Sequence, residues 1–417
     1  MPAAIDPSDR SDPPRRARHR QLGILAVVEL LAMGLWFSAT AVVPELRSVW
    51  ELGDAGASWL TMSVQLGFVT GAVLSAALTL SDIWDPRRLI AGSALLGAAA
   101  TAAIAVFADG LVLALPLRFL TGFALAGVYP PGMKVMAGWF REGRGMAIGV
   151  LVGALTLGSG TPHLLRPLGG IGEWRSVLLL AALLAVIGAL LAAVALRTGP
   201  HQPGVAPFDP RAVRRILGDR ATMLANAGYF GHMWELYAVW TWVPAFLAAS
   251  FAIDASPATG PALASYLSFA TIAIGGLGAV AAGVAADRLG RSRVTIVSMG
   301  VSGACCLVTG AAFGGPAWLL VLLCLVWGFS IVADSAQFSA CVSELAEAEY
   351  MGTALTLQTA VGFLLTIVTI RLVPVWEAAW GWRMAFVPLA IGPALGVLAM
   401  AILRRRPESA RIAGGRG

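Results

Sequence analysis

Residues 283–293 read Gly283-Val284-Ala285-Ala286-Asp287-Arg288-Leu289-Gly290-Arg291-Ser292-Arg293, a cluster of charge in a chain of which only 12% is charged. Apolar runs flank it at about 261–285 and 293–313. Each is close to the roughly 20 residues that cross bilayer hydrocarbon as a helix. Working outward, ten more such runs occur at about 22–43, 57–80, 89–108, 111–136, 145–165, 174–196, 222–249, 317–341, 351–374 and 384–403. Each span must be helical, because a lone strand would leave its backbone groups unsatisfied in lipid.

The composition excludes the other classes. Of 417 residues, 58% are hydrophobic, mean hydropathy is +0.78 and 48 are glycine. A soluble protein cannot hide that much apolar surface behind so few charges, and disorder needs the opposite balance. Glycine is also commoner in membrane helices than in soluble ones. The net charge of +6 is explained by placement rather than by nucleic acid, since 23 of the 29 basic residues fall on one side of a twelve-span layout. By the positive-inside rule that side is cytoplasmic. The chain is expected in the cytoplasmic (inner) membrane, multi-pass, with both termini cytoplasmic. The polar, arginine-rich residues before the first span read as a retained tail, not a cleavable signal. One loop, 341–351, runs against the charge rule, carrying Glu344, Glu347 and Glu349 with no basic residue. Cys305, Cys306, Cys324 and Cys341 lack zinc or disulfide-framework spacing and read as small core residues.

The sequence repeats itself. Gly122-Phe123 recurs 206 residues later as Gly328-Phe329, and Gly71-Ala72-Val73 recurs 207 later as Gly278-Ala279-Val280. Asp82 and Asp287 lie 205 apart, and Trp174-Arg175 and Trp382-Arg383 lie 208 apart. Four ordered matches at nearly constant offset indicate duplication. The expected fold is therefore an all-α integral membrane protein of twelve transmembrane helices in two pseudo-symmetric six-helix halves. Those halves are 22–196 and 222–403, joined by a loop at 197–221, with tails at 1–21 and 404–417. Parallel halves of this kind place a substrate path between them.

The opening stretch, 283–293, resembles the loop motif of the major facilitator superfamily between helices 8 and 9. Its first-half counterpart, Leu78-Thr79-Leu80-Ser81-Asp82-Ile83-Trp84-Asp85-Pro86-Arg87-Arg88, is a degraded version with Leu78 in place of the first glycine. Arg118 and Gly122 are similar to the superfamily's fourth-helix motif. The resemblance covers residues 22–403 and implies a secondary transporter of the bacterial proton-coupled type, without a cofactor and driven by a proton gradient. Its partners would be a small solute, protons and the bilayer, and the protein would act as a monomer. It assigns a gating role to Asp82, Arg87, Arg88, Gly283, Asp287, Arg288, Gly290, Arg291 and Arg293. In the inferred fold Asp287 would face the N-terminal end of helix 11, while the arginines latch to helix ends or lipid phosphate. A plain basic loop is the alternative.

Ionisable residues inside spans cost about 2.5–3.5 kcal/mol each on insertion scales and are functional candidates by default. Glu29 in span 1, Arg118 and Lys134 in span 4, His232 and Glu235 in span 7 and Asp334 in span 10 form the deeper set. Spans 1, 4, 7 and 10 are those that the resemblance places around the cavity. Depth along the helices allows an Arg118–Glu235 pair, with His232 one turn from Glu235 to relay or tune its proton. A static buried pair is the competing account. His163, Arg166 and Arg371 lie near helix ends, where snorkelling suffices. Lys134 is the only lysine in the chain. It follows Tyr129-Pro130-Pro131-Gly132-Met133, whose prolines break or kink the helix; it either lines the path or anchors a helix end. Tyr229, Phe230, Trp234, Tyr237, Trp240 and Trp242 in span 7, with Trp36 and Phe37 in span 1, suggest a partly aromatic wall for an organic or delocalised solute, or else plain helix packing; Tyr129 is a further candidate for the site.

No His-Glu-x-x-His pattern, paired aspartates or other metal signature is present, and Gly158-Ser159-Gly160 does not match a serine-nucleophile loop, so no enzyme and no metal site are expected. Acids in spans 1 and 7 with an arginine in span 4 resemble proton-driven drug and solute antiporters. A symporter for a small organic or inorganic anion, bound by Arg118 and Lys134, is the second reading. Glu235→Gln is expected to abolish proton-driven flux in proteoliposomes while solute exchange persists; a fully coupled variant would remove Glu235 from proton coupling.

Overall fold

The computed structural model describes residues 14–140, 144–168, 173–201, 210–253 and 260–417. Twelve long helices cross one layer: α1 (Arg15–Ala41), α2 (Asp54–Ala77), α3 (Pro86–Phe107), α4 (Leu111–Ala137), α5 (Gly145–Leu168), α6 (Trp174–Ala195), α7 (Arg220–Phe251), α8 (Gly260–Leu289), α9 (Arg291–Ala312), α10 (Ala317–Leu345), α11 (Met351–Trp380) and α12 (Trp382–Arg404). All but α7 are apolar enough by composition alone to cross a membrane. The exception is long enough, about 48 Å at 1.5 Å per residue. Its hydropathy is lowered by Asn226, His232, Glu235 and its tyrosines and tryptophans, nearly all of them buried in protein rather than facing lipid. No strand occurs among the described residues. With twelve such helices running alternately up and down, the start of α1 and the end of α12 lie on one side, here the terminal face.

Several helices outrun the sequence expectation. The first begins at Arg15, inside the predicted tail, and α11 continues to Trp380. Residues 407–417 are no loose tail either. Ile412 is fully buried, Arg411 donates to Leu345 O at 2.6 Å, the Ala413 N–H donates to Glu344 at 2.9 Å, and Arg416 donates to the Asp287 carbonyl.

Packing follows the repeat. In the first six helices α2 lies on α4, α3 on α6, and α1 on α5 and α6; in the last six α8 lies on α10, α9 on α12, and α7 on α11 and α12. The halves meet along α5–α8 and its symmetry mate α2–α11. Lipid tails offer no hydrophobic gain from helix association, so contact depends on small residues that let backbones close in. A Cβ on Gly122 would stand 2.0 Å from Val64 O, and one on Gly328 would stand 1.8 Å from Thr271 O. Likewise a Cβ on Gly71 or Gly278 would come within 2.7 or 2.1 Å of the Phe123 or Phe329 carbonyl. The repeated glycines are thus the α2–α4 and α8–α10 crossings. Between halves, hypothetical Cβ atoms on Gly149, Gly153, Gly276 and Gly283 would meet carbonyls of the facing helix at 2.9–3.1 Å.

The two inner helices α4 and α10 are interrupted at equivalent places, around Val128 and at Asp334. In α4 the cause is direct: Pro130 and Pro131 have no N–H to give the carbonyls of Ala126 and Gly127.

Gly328→Leu should drive α8 and α10 apart and destabilise the protein by about 2–3 kcal/mol or more. Gly300→Leu, at a position with nothing within 4 Å, should leave the melting temperature unchanged. Equal melting temperatures for the two variants would contradict this account of the crossing.

Candidate functional site: the central cavity and the charges behind it

Helices α1, α4, α7 and α10 do surround the centre, joined there by α2, α5 and α11. They enclose a cavity of about 240 Å³ whose wall includes Trp36, Tyr129, Met133, Tyr229, Met233 and Tyr237. The wall continues through Leu355, Thr359 and Phe363 of α11 and Ser335 and Ser339 of α10, all towards the terminal face. Among the described residues no charged side chain lines it. Its inner end is an aromatic layer contributed by both halves: Trp36, Phe37 and Phe68 from the first, Tyr237, Trp240 and Phe363 from the second, with ring centroids 4.7–6.1 Å apart. Beyond that layer a second vestibule, about 330 Å³, opens between Thr40, Arg47, Asp54, Arg166, Thr241 and Glu377 on the opposite face. The rings therefore separate two spaces, each large enough for several waters or a small solute.

Of the residues singled out from sequence, Trp36, Tyr129, Tyr229, Tyr237 and Trp240 line the cavity; the ionisable ones stand behind its wall. Arg118 is fully buried, with its guanidinium spent on backbone: Nε donates to Leu60 O at 3.2 Å, Nη1 to Leu35 O at 2.9 Å and Ser38 Oγ at 3.3 Å, and Nη2 to the Trp36 carbonyl. It clamps α4 to α1 and α2, immediately behind Trp36. Glu235 turns the other way, towards α9 and α10. Trp327 Nε1 donates to it at 2.5 Å, Ser302 Oγ at 2.9 Å and Cys306 Sγ at 3.2 Å, three donors that complement a carboxylate. Arg118 and Glu235 are not brought together; each has its partners inside its own half.

His232 also differs from expectation. Its Nδ1 lies 2.9 Å from Asp334 Oδ1, at ion-pair distance but not aligned as a hydrogen bond, and both side chains are buried. It therefore ties α7 to the interruption in α10 rather than serving Glu235. Glu29 is fully buried beside Gly132, in the interrupted part of α4, and neither carboxylate oxygen has a partner among the described residues. Lys134, half-buried, sits near the terminal end of α4. Trp234 packs on Gly392 of α12, away from the cavity. Arg166 does not snorkel: it is 7% exposed and bridges Glu45 at 2.7 Å to Ser265 of the other half at 2.9 Å. Arg371 is exposed, as snorkelling predicts.

The loop-motif residues divide in the same way. The Asp287 carboxylate stands against Gly145, where an added Cβ would be 2.7 Å away, so it faces the N-terminal end of α5, not of α11. Gly283 presses on the same end of α5. Gly290 has φ +93°, a left-handed conformation, and a Cβ there would strike Arg416 O. Arg291 is buried against Glu344, at 2.7 and 3.1 Å, and Gln337 at 2.9 Å. That pair accounts for Glu344, one of the three acids in the loop that runs against the charge rule. Arg288 and Arg293 are exposed. In the first half Asp85 caps α3 through the Arg87 N–H at 2.9 Å, Arg88 is exposed, and the Asp82 side chain lies outside the described residues. Sequence reasoning missed Phe68, Phe363, Ser335 and Ser339 as wall, and Ser302, Cys306 and Trp327 as partners of Glu235. A lone phenylalanine or serine in an apolar run carries no signal of its own.

The family model of the Major Facilitator Superfamily matches residues 25–370. No curated protein sequence matches the chain. Among solved structures, the fold is similar to the proton:xylose symporter XylE bound to 6-bromo-6-deoxy-D-glucose, over 92% of this chain and 94% of that one, at 14% identity and a TM-score of 0.67. It is also similar to a bacterial homolog of the human lysosomal transporter Spinster, inward-facing and unoccupied, over 95% and 100%, at 13% identity and a TM-score of 0.70. At such identities the likeness is one of fold. The family match spans most of the chain, which belongs to the major facilitator superfamily and is a membrane transporter, not an enzyme.

Proposed function

We propose that the protein exchanges protons for an aromatic or amphiphilic organic solute that carries no net negative charge, by alternating access of the central cavity. The observation that carries this is the wall itself, aromatic and apolar with a few hydroxyls and, among the described residues, no charged side chain. An anion would meet no cation there. The arginine best placed to supply one has all three guanidinium nitrogens committed to protein acceptors. This favours the antiport reading over an anion symporter.

Protons would then act from behind the wall. Glu235 joins α7 to α9 and α10, the His232–Asp334 pair joins α7 to the α10 interruption, and Glu29 sits against the α4 interruption. Proton uptake at any of them changes which contacts those helices can keep, and so couples charge to the shape of the cavity without touching the solute. On the positive-inside argument the terminal face is cytoplasmic, so the cavity lies on the cytoplasmic side of the aromatic layer. With an inward proton gradient, exchange then means export.

Proteoliposome flux tests this. A neutral aromatic, a delocalised organic cation and a small carboxylate should be compared with and without a pH gradient. The first or second should move against its own gradient when a proton gradient is imposed and stop when a protonophore is added. Gradient-driven uptake of the carboxylate alone, lost in Arg118→Lys, would instead support the anion symporter.

A further inference from the structure

The cavity wall is rich in hydrogen-bond donors that no protein atom uses. Three of the chain's five tyrosines, Tyr129, Tyr229 and Tyr237, line it. Among the described residues none of their hydroxyls is hydrogen-bonded to protein. Trp36 and Trp240, 2% and 1% exposed, also line it, and each indole N–H is buried without a partner. Buried tryptophan N–H groups ordinarily find an acceptor. Elsewhere in this chain Trp139 donates to Arg197 O at 2.9 Å and Trp242 to Ile370 O at 2.8 Å. Trp50 and Trp234 are unpaired as well, but neither lines the cavity. Acceptors on the wall are scarce: they are hydroxyls, and Thr156 and Ser339 already donate within the protein. Indole N–H can only donate.

Taking this cavity as the solute site, we infer that it selects flat, uncharged aromatic compounds carrying carbonyl-type acceptors, with Trp36, Tyr129, Tyr229, Tyr237 and Trp240 as the specificity-determining donors. The ring faces of Phe68 and Phe363 stack on the solute, and the surplus donors are satisfied only when an acceptor arrives. The inference deepens the proposed function and depends on it. An aromatic hydrocarbon of the same outline gains the stacking but leaves the donors unpaired, which is where discrimination arises. A delocalised cation would use the same rings through their π faces but would leave the donors unanswered.

The test is equilibrium dialysis of the purified protein with 9-fluorenone, fluorene and tetraphenylphosphonium. Each is measured on the wild type and on Trp36→Phe, Trp240→Phe, Tyr129→Phe, Tyr229→Phe and Tyr237→Phe, which keep a ring and remove the donor. Fluorenone should bind about tenfold more tightly than fluorene. At least two of the variants should lose about fivefold to tenfold for fluorenone while fluorene binding and the melting temperature stay unchanged. Equal affinities for ketone and hydrocarbon, or variants that weaken both alike, would overturn the donor assignment and leave the cavity reading standing. Tighter binding of tetraphenylphosphonium than of fluorenone would overturn it in favour of a cation cage. No binding of any of the three would count against the cavity as the solute site, and so against the proposed function itself.

Discussion

Backbone pressed against backbone at glycine is the contact on which the rest of this molecule depends. In lipid, apolar side chains gain nothing by leaving one apolar neighbour for another, so helices hold together only where they pack closely. Here Gly122 and Gly328 let α4 and α10 settle onto α2 and α8, while Gly149, Gly153, Gly276 and Gly283 let α5 and α8 meet across the two halves. Those crossings fix where α1, α4, α7 and α10 stand, and thus the outline of the cavity. A seam of small residues has little interdigitation to undo, which suits halves that rock against each other.

Charge is handled by a second constraint, that a buried ionisable group needs partners. Arg118 takes carbonyls from two neighbouring helices, Glu235 takes three donors, and Arg291 takes Glu344 and Gln337. All three are consumed by structure behind or beside the cavity. The wall is left to rings and hydroxyls. In the function proposed above, the solute is recognised by shape, stacking and neutral hydrogen bonds, and the proton binds elsewhere and communicates with it through helix positions, as a coupling between two sites requires.

Much of the fold was legible in the sequence because its causes are local. Span length and the repeat each leave a mark in residue type, and the repeated glycines mark real crossings. The helices carrying the ionisable residues were also legible. Which way each residue points was not. A helix turns about 100° per residue, and α7 is polar and aromatic around its whole circumference because it is buried on nearly every side. No stripe distinguishes the face of Glu235 from that of Tyr237. The acceptors of Arg118 are main-chain carbonyls, which every residue possesses, so nothing in the sequence forecast them. The Asp287 placement failed for a related reason: the motif identifies the carboxylate, but which helix end it meets is decided by how the halves are set against each other.

The central claim is that solute lies among the rings while Arg118 and Glu235 stay with their protein partners. A structure determined with a transported aromatic solute bound tests it most directly. The account predicts the solute between Trp36, Tyr237 and Phe363, with Arg118 still held by the Leu35, Trp36 and Leu60 carbonyls. A solute in direct contact with Arg118 or Glu235, displacing those partners, would contradict it.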